Sequence, residues 1–291
     1  MSTVKLSQRE HTLVESMIQQ ALKIKHSHDR ALRAALSASR QNKLVATVTT
    51  TQNTLAAGKV LFDACFEQLN QRYDTALQWA LFHNDGTSLK ANSLMLRLEG
   101  PTDHVVTFAP YFADRLNRLS NIATFTQTLA RATAPCKITY SAQHTHELHD
   151  FEILGALTGG AFENQFFTEE NIYVNDWAFQ IAENHQTLFE SIQSRRSTTT
   201  LVTIEVVSFL DLKYALMAKP DRVVLKNFTP VEIERAVQFF STACTIFAEV
   251  IYEPNNASTF AATEVDGLII KNLFNQPVED RMRVEYLFDG K

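Results

Sequence analysis

The sequence predicts an α/β protein in two parts: an N-terminal α+β sandwich, then a parallel sheet with crossover helices. Two patterns carry this. In the first third, β-branched and amphipathic stretches follow one another as strand, helix, strand, strand. Further on, short apolar runs alternate regularly with amphipathic segments, as parallel strands and their crossover helices do. A length of 291 residues accommodates two domains. Periodicity alone leaves open whether the sheet curls into a barrel or stays doubly wound.

The elements follow in order. Leu13, Val14, Met17, Ile18 and Ala21 recur at helical spacing and predict an N-terminal helix. Residues 44–51 are rich in β-branched side chains and predict a strand. Leu55-Ala-Ala-Gly58 leads into a helix over 60–69; strands are predicted at 75–82 and 93–98, with Asn84-Asp85-Gly86 as a turn between them. A long helix spans 108–131. Strands are then predicted at 137–140, 172–174, 201–207, 222–225, 246–251 and 267–270. Amphipathic segments lie at 147–157, 177–192, 209–217, 230–240 and 256–262.

Composition excludes several classes. A net charge of −5 gives no broad electrostatic case for nucleic acid or an anionic membrane. The first residues have no apolar signal core, and no apolar run approaches the roughly 20 residues that span a bilayer. A cytoplasmic location is the expectation. Cys65, Cys136 and Cys244 are far apart and fit reduced thiols better than a disulfide framework. Neither G-x-G-x-x-G nor G-x-x-x-x-G-K-[ST] occurs, so no nucleotide loop is predicted.

Ser120-Asn121-Ile122-Ala123-Thr124, on the long helix, resembles the S-G-I-A-T signature of the quinolinate phosphoribosyltransferases (carboxylating nicotinate-nucleotide pyrophosphorylases). From that register the resemblance runs from about Leu55 to Leu287. Ala57-Gly58, Asp85-Gly86 and Leu98-Glu99-Gly100 are similar to the family's sandwich motifs. Glu205 falls on its barrel-strand glutamate, Asn227 on the asparagine of L-D-N, and Val265-Asp266 on its G-V-D. The resemblance implies a sandwich over 1–118, an incomplete (open) β/α barrel over 119–275, and a segment over 276–291 returning to the sandwich. It also implies a homodimer or higher homo-oligomer, in which one subunit's sandwich covers the other's barrel mouth, and a link to pyridine nucleotide (NAD) biosynthesis.

The departures concentrate where the family binds substrate. Its E-R pair is Ala109-Pro110 here; an arginine and a lysine become Ala142 and Gln143; an H-R pair becomes Asn164-Gln165; a lysine becomes Asn175. The L-D-N aspartate becomes Lys226, the S-G-G phosphate loop becomes Ile251-Tyr252-Glu253, and the last phosphate-loop glycine becomes Lys271. Phosphoribosyl pyrophosphate and a dicarboxylate need arginine or lysine forks, open glycine-loop amides and, for the sugar donor, Mg²⁺ on carboxylates. Five cationic positions are neutral here. The expectation is a family member that has lost the reaction and acts as a binding, structural or regulatory homologue. The alternative is a phosphoribosyl or other glycosyl transferase of altered specificity. No cofactor is expected, and Mg²⁺ only if phosphoribosyl pyrophosphate is still used. As a binding homologue it is expected to take a protein partner, such as an active relative, or a small ligand.

Glu205, Lys226 and Asp176 are the candidate catalytic residues of that alternative. Glu205 reads as a polar anchor or base at a barrel mouth, or as a carboxylate held by structural hydrogen bonds. Lys226 stands where it could neutralise Glu205. Ala142, Gln143, Asn164, Gln165, Asn175, Asn227 and Lys271 mark the former contact positions. Trp177 and Phe179 are expected either to plug the old cavity or to stack on a flat ligand. His144, His146 and His149 form an H-x-H-x-x-H run that reads as a metal site or as a solvated loop, and no metal ligand is assigned to it.

Overall fold

A computed structural model of the chain describes residues 6–27, 43–141, 149–163, 171–253 and 256–287. The strands are β1 (Lys43–Thr50), β2 (Thr54–Leu55), β3 (Gln78–Leu81), β4 (Ser88–Leu89), β5 (Leu94–Pro101), β6 (Lys137–Tyr140), β7 (Ile172–Val174), β8 (Val202–Val206), β9 (Arg222–Lys226), β10 (Thr245–Val250), β11 (Gly267–Ile270) and β12 (Met282–Leu287). The chain forms two compact units. One comprises residues 1–125, 146–159 and 277–291, the other 126–145 and 160–276.

The first unit is an α+β sandwich. Its antiparallel sheet has the order β12-β1-β5-β3. Alternation along β1 and β5 sends Leu44, Ala46, Val48, Leu96 and Leu98 into the core. Helices Gln8–Ser27 and Lys59–Tyr73 complete it with Val14, Ile18, Phe62 and Phe66, and the long helix Thr102–Ala132 adds Phe108 and Phe112. Phe66 and Phe112 meet at 4.5 Å between ring centroids. β3 is shorter than the predicted 75–82, because Asp74 and Ala76 take left-handed backbone (φ 46° and 52°) ahead of it. The long helix starts at Thr102, earlier than predicted, and Pro110 lies within it.

The serine-to-threonine signature serves this scaffold. Thr124 Oγ1 accepts from Leu55 N (2.8 Å) and donates to Ser120 O (2.6 Å). Asn121 clamps the returning C-terminal segment: its Nδ2 donates to Glu279 O (2.9 Å), and its Oδ1 accepts from Glu279 N (3.1 Å) and Arg281 Nε (3.0 Å). That segment then forms β12, antiparallel to β1 from Thr50↔Met282 to Val45↔Leu287. Its alternation Met282, Val284, Tyr286 against Arg283, Glu285 was the available signal for a strand.

The second unit is an open β/α barrel. All six strands are parallel, in the order β6-β11-β10-β9-β8-β7. The order is cyclic: the chain steps from β7 to β11 one neighbour at a time, and β11 then pairs with the first strand, β6. A doubly wound sheet reverses direction at a switch point instead. Among the described residues β6 and β7 are not paired with each other, and Phe162 lies along β6, its N–H on Ile138 O at 2.9 Å. Two aspartates finish strand starts: Asp221 Oδ2 accepts from Val202 N, and Asp266 Oδ2 from Ile246 N, each at 2.7 Å. The stretch predicted as one helix over 177–192 is two, Trp177–Ile181 and His185–Arg195. Asn184 caps the second by accepting from Gln186 N and Thr187 N.

Candidate active site at the barrel mouth

Strand register decides which side chains line the barrel. Tyr173 stands beside Thr203, Glu205 beside Val224, and Lys226 beside Glu249. Phe247 stands between Val224 and Gly267, and Ile269 between Glu249 and Thr139. With a side-chain period of two these residues share the inner face. The outer face carries Ile204, Val206, Val223, Leu225, Ile246, Ala248, Leu268 and Ile270, all buried.

Part of the interior is a packed apolar plug. Val224, Phe247 and Ile269 are buried together, with Phe162 and Tyr173 against them. Phe162 and Phe247 meet at 5.9 Å. Gly267 makes the room: a Cβ there would lie 2.6 Å from Phe247 Cε1. The expected plug of Trp177 and Phe179 is not found. Trp177 is 53% exposed, while Phe179 packs with His185 and Phe189.

The same inner face carries an ionic network. Glu205 is 2% exposed on the all-buried strand β8, so its carboxylate needs partners. It has three: Tyr173 Oη donates to Oε1 at 2.6 Å, and Asp176 N and Lys226 Nζ donate to Oε2 at 3.2 and 3.1 Å. Lys226 Nζ also lies 3.5 Å from Asp176 Oδ1. Lys271 Nζ lies 3.4 Å from Glu249 Oε1, whose side chain is 5% exposed. Burial opposes the Lys226 ammonium, but the hydrogen bond to Glu205 and the charges of Glu205, Glu249 and Asp176 outweigh it, and the pKa stands above its ordinary value. Burial, reinforced by Glu205, pushes the Tyr173 phenol far up, which keeps it a neutral donor.

Glu205, Lys226 and Asp176 are thus brought together. Lys271 joins through Glu249, with which Lys226 is in register. Asn227 follows β9, exposed, with left-handed backbone (φ 62°). Asn175 O accepts from Ala178 N at the start of the helix after β7. Ala142, Gln143, Asn164 and Gln165 lie outside the described residues, as do His144, His146 and the His149 side chain. Sequence reasoning missed Tyr173 and Glu249. Glu249 had a signal, a lone acid near the end of an apolar strand like Glu205. Tyr173 had none beyond alternation.

The loops where the family places phosphate are tied to one another. Lys271 N donates to Val250 O at 2.9 Å and Tyr252 N to Asn272 Oδ1 at 2.8 Å. Asn272 Nδ2 returns to Tyr252 O at 2.9 Å, and Glu253 N donates to Asn256 Oδ1 at 3.0 Å.

The sequence pattern of the quinolinate phosphoribosyl transferase C-terminal domain matches residues 122–277, more than half of the chain. The chain belongs to this family. Its relatives include a probable carboxylating nicotinate-nucleotide pyrophosphorylase of Archaeoglobus fulgidus, 27% identical over 192 residues, 62% of this chain and 73% of that one. Its counterpart in Methanothermobacter thermautotrophicus is 25% identical over 192 residues, 63% and 69% of the two chains. Among solved structures, the nicotinate-nucleotide pyrophosphorylase of Francisella tularensis superposes with a TM-score of 0.81 at 15% identity over 97% of both chains. That of Ehrlichia chaffeensis gives 0.81 at 15% identity over 98% and 100%. At that identity the likeness establishes the fold.

The family resemblance implies Mg²⁺, and the side chains as placed do not fit it. The nearest carboxylate oxygens, Glu205 Oε2 and Asp176 Oδ1, are already taken by the Lys226 ammonium. A Mg²⁺ ion on those oxygens would sit at about 2.1 Å from each. With Nζ 3.1 Å from Glu205 Oε2, it would stand no more than about 5 Å from the ammonium, a repulsion on the order of 6 kcal/mol or more at an effective dielectric of about 20.

Proposed function

We propose that this chain is a non-catalytic member of the quinolinate phosphoribosyl transferase family, linked to pyridine nucleotide (NAD) biosynthesis through that family and acting as a binding or structural homologue. The observation that carries the reading is that, among the described residues, the central carboxylate and three loop amides of the barrel mouth are held from within. Glu205 has three internal donors, and the amides of Lys271, Tyr252 and Glu253 are spent on Val250, Asn272 and Asn256. A pyrophosphate needs such amides free and cations beside them. Each charged hydrogen bond is worth ~1.5–3 kcal/mol. Losing three of them, at least about 4.5 kcal/mol, exceeds the ~4 kcal/mol separating micromolar from millimolar binding.

The retained scaffold fits assembly. Exposed apolar side chains follow the C-terminal ends of four successive strands: Trp177 after β7, Val207 and Leu210 after β8, Val231 after β9 and Ile251 after β10. Such a rim is the kind of surface a partner covers, and a homodimer is the assembly we propose for it. The test is nicotinate mononucleotide formation from quinolinate and phosphoribosyl pyrophosphate with Mg²⁺. No product above the uncatalysed rate is expected. Turnover at ordinary enzyme rates, roughly 1 per second or faster, would overturn the reading and favour the transferase alternative.

A further inference from the structure

We propose that the edge of the sandwich sheet, strand β12, is a docking surface for a second copy of this chain, the two β12 strands running antiparallel about a two-fold axis at Val284. The sheet order β12-β1-β5-β3 leaves β12 with one neighbour. Thr51 N donates to Arg281 O at 2.8 Å, which sets the phase of the ladder. Arg283, Glu285 and Leu287 therefore turn their backbone groups toward Thr49, Thr47 and Val45. Met282, Val284 and Tyr286 turn theirs outward, and among the described residues no second strand meets them there. An open row of amides and carbonyls is a template for another strand. The side chains are unfinished as well. Val284 and Tyr286 pack against the core yet stay only partly buried, and Leu287, at the strand end, is 51% exposed.

Charge decides the occupant. Sheet edges are commonly blunted by charged side chains, lysine above all. Charges of one sign repel a second copy. β12 instead carries opposite signs two residues apart, Arg283 and Glu285, with side chains 56% and 49% exposed. An antiparallel pair centred on Val284 sets Met282 opposite the second copy's Tyr286 and Arg283 opposite the second copy's Glu285. Val284 then faces its own counterpart in a hydrogen-bonded pair, as its outward amide and carbonyl require. Arg283 and Glu285 fall in the non-hydrogen-bonded pairs on either side, where side chains approach most closely. The contact is made twice, as an isologous interface demands. A slip of two residues either way sets Arg283 against Arg283 or Glu285 against Glu285. A slip of one sets charged side chains beside apolar ones. The Arg283–Glu285 pair within the strand, at 3.2 Å, is exposed enough to exchange its partner at little cost. One register satisfies backbone, charge and apolar face together, and it reads the same from both chains.

The edge belongs to the first unit and the exposed apolar rim to the second, so this inference and the rim assembly fail separately. The experiment is analytical sedimentation of the full chain over a range of concentrations, with circular dichroism to confirm folding. Wild type is expected to show a concentration-dependent doubling of mass. Arg283→Glu sets acid against acid across the axis, and Glu285→Arg sets base against base. Each alone should weaken that step at least about tenfold. Mixed one to one, the two variants should pair with each other, and the double exchange of Arg283→Glu with Glu285→Arg should restore self-association. Val284→Pro should also weaken the step, since an edge strand tolerates proline where its N–H faces outward but then lacks the donor. A doubling that both single variants keep would overturn the proposal and leave the rim as the interface. So would folded single variants that stay apart when mixed. A wild type that never associates would overturn both assemblies.

Discussion

Replacing Glu205 by glutamine keeps the side-chain shape and removes the charge at the centre of the network. The carboxylate accepts from Tyr173 Oη, Asp176 N and Lys226 Nζ. An amide has one acceptor oxygen, and its NH₂ must face at least one of those donors. Lys226 keeps Asp176 at 3.5 Å but loses its nearer counter-ion at 3.1 Å. Breaking a buried pair by removing one partner costs about 3–5 kcal/mol. The residual Asp176 contact and the partial solvent access of Lys226 place the expected loss at the lower end, about 3 kcal/mol. Lys226→Met should cost a similar amount, because it leaves Glu205 and Asp176 facing one another. The double variant should cost less than the sum of the singles, with a coupling of at least about 1 kcal/mol. Urea unfolding followed by circular dichroism measures all four corners of the cycle. Additivity within about 0.5 kcal/mol would refute the argument that the two side chains form one unit.

Alkaline pH should erode stability through the same network. Tyr173 and Lys226 both bind their protons more tightly in the folded chain than at their ordinary values of 10.0 and 10.5. Their contributions are complete below those values and fall as pH rises through them. Tyr173→Phe should flatten the pH–stability curve above pH 10.0, the ordinary value of the phenol. Gly267→Ala drives a Cβ to 2.6 Å from the Phe247 ring. It should destabilise by about 1–3 kcal/mol, as overpacking does, and Phe247→Leu in the same chain should return part of that in a melting experiment. Asn121→Ala removes the clamp on Glu279 and Arg281. The expected cost is about 2–3 kcal/mol, near 1 per hydrogen bond, with faster proteolysis of the C-terminal strand.

Much of this was legible in the sequence. Where a stripe or an alternation faces one core, periodicity reads it: Leu13 to Ala21, the apolar run at 202–206, and the long helix. Asn184 was harder, since its capping side chain splits a continuous amphipathic stretch without a proline or glycine. The open barrel depended on the family resemblance, because strand order is set by long-range pairing that local patterns do not encode. The pairing of Glu205 with Lys226 was accessible, as an acid on an apolar strand requires a counter-charge. Filling of the barrel by Phe247 was not. It depends on a glycine two strand positions before Ile269 in a neighbouring strand, and only the parallel register of β10 and β11 brings the two together. Of the two readings of Trp177 and Phe179, the plug fails, because Trp177 is exposed and Phe179 packs with His185 and Phe189.

The most direct test is equilibrium binding of phosphoribosyl pyrophosphate to the wild-type protein, measured by calorimetry with Mg²⁺ present. A mouth already neutralised by Lys226 and closed by its own amides should take up the sugar donor no more tightly than the millimolar range, about −4 kcal/mol. Saturable binding in the micromolar range, about −8 kcal/mol, that Lys226→Met or Glu205→Gln alters would contradict the account.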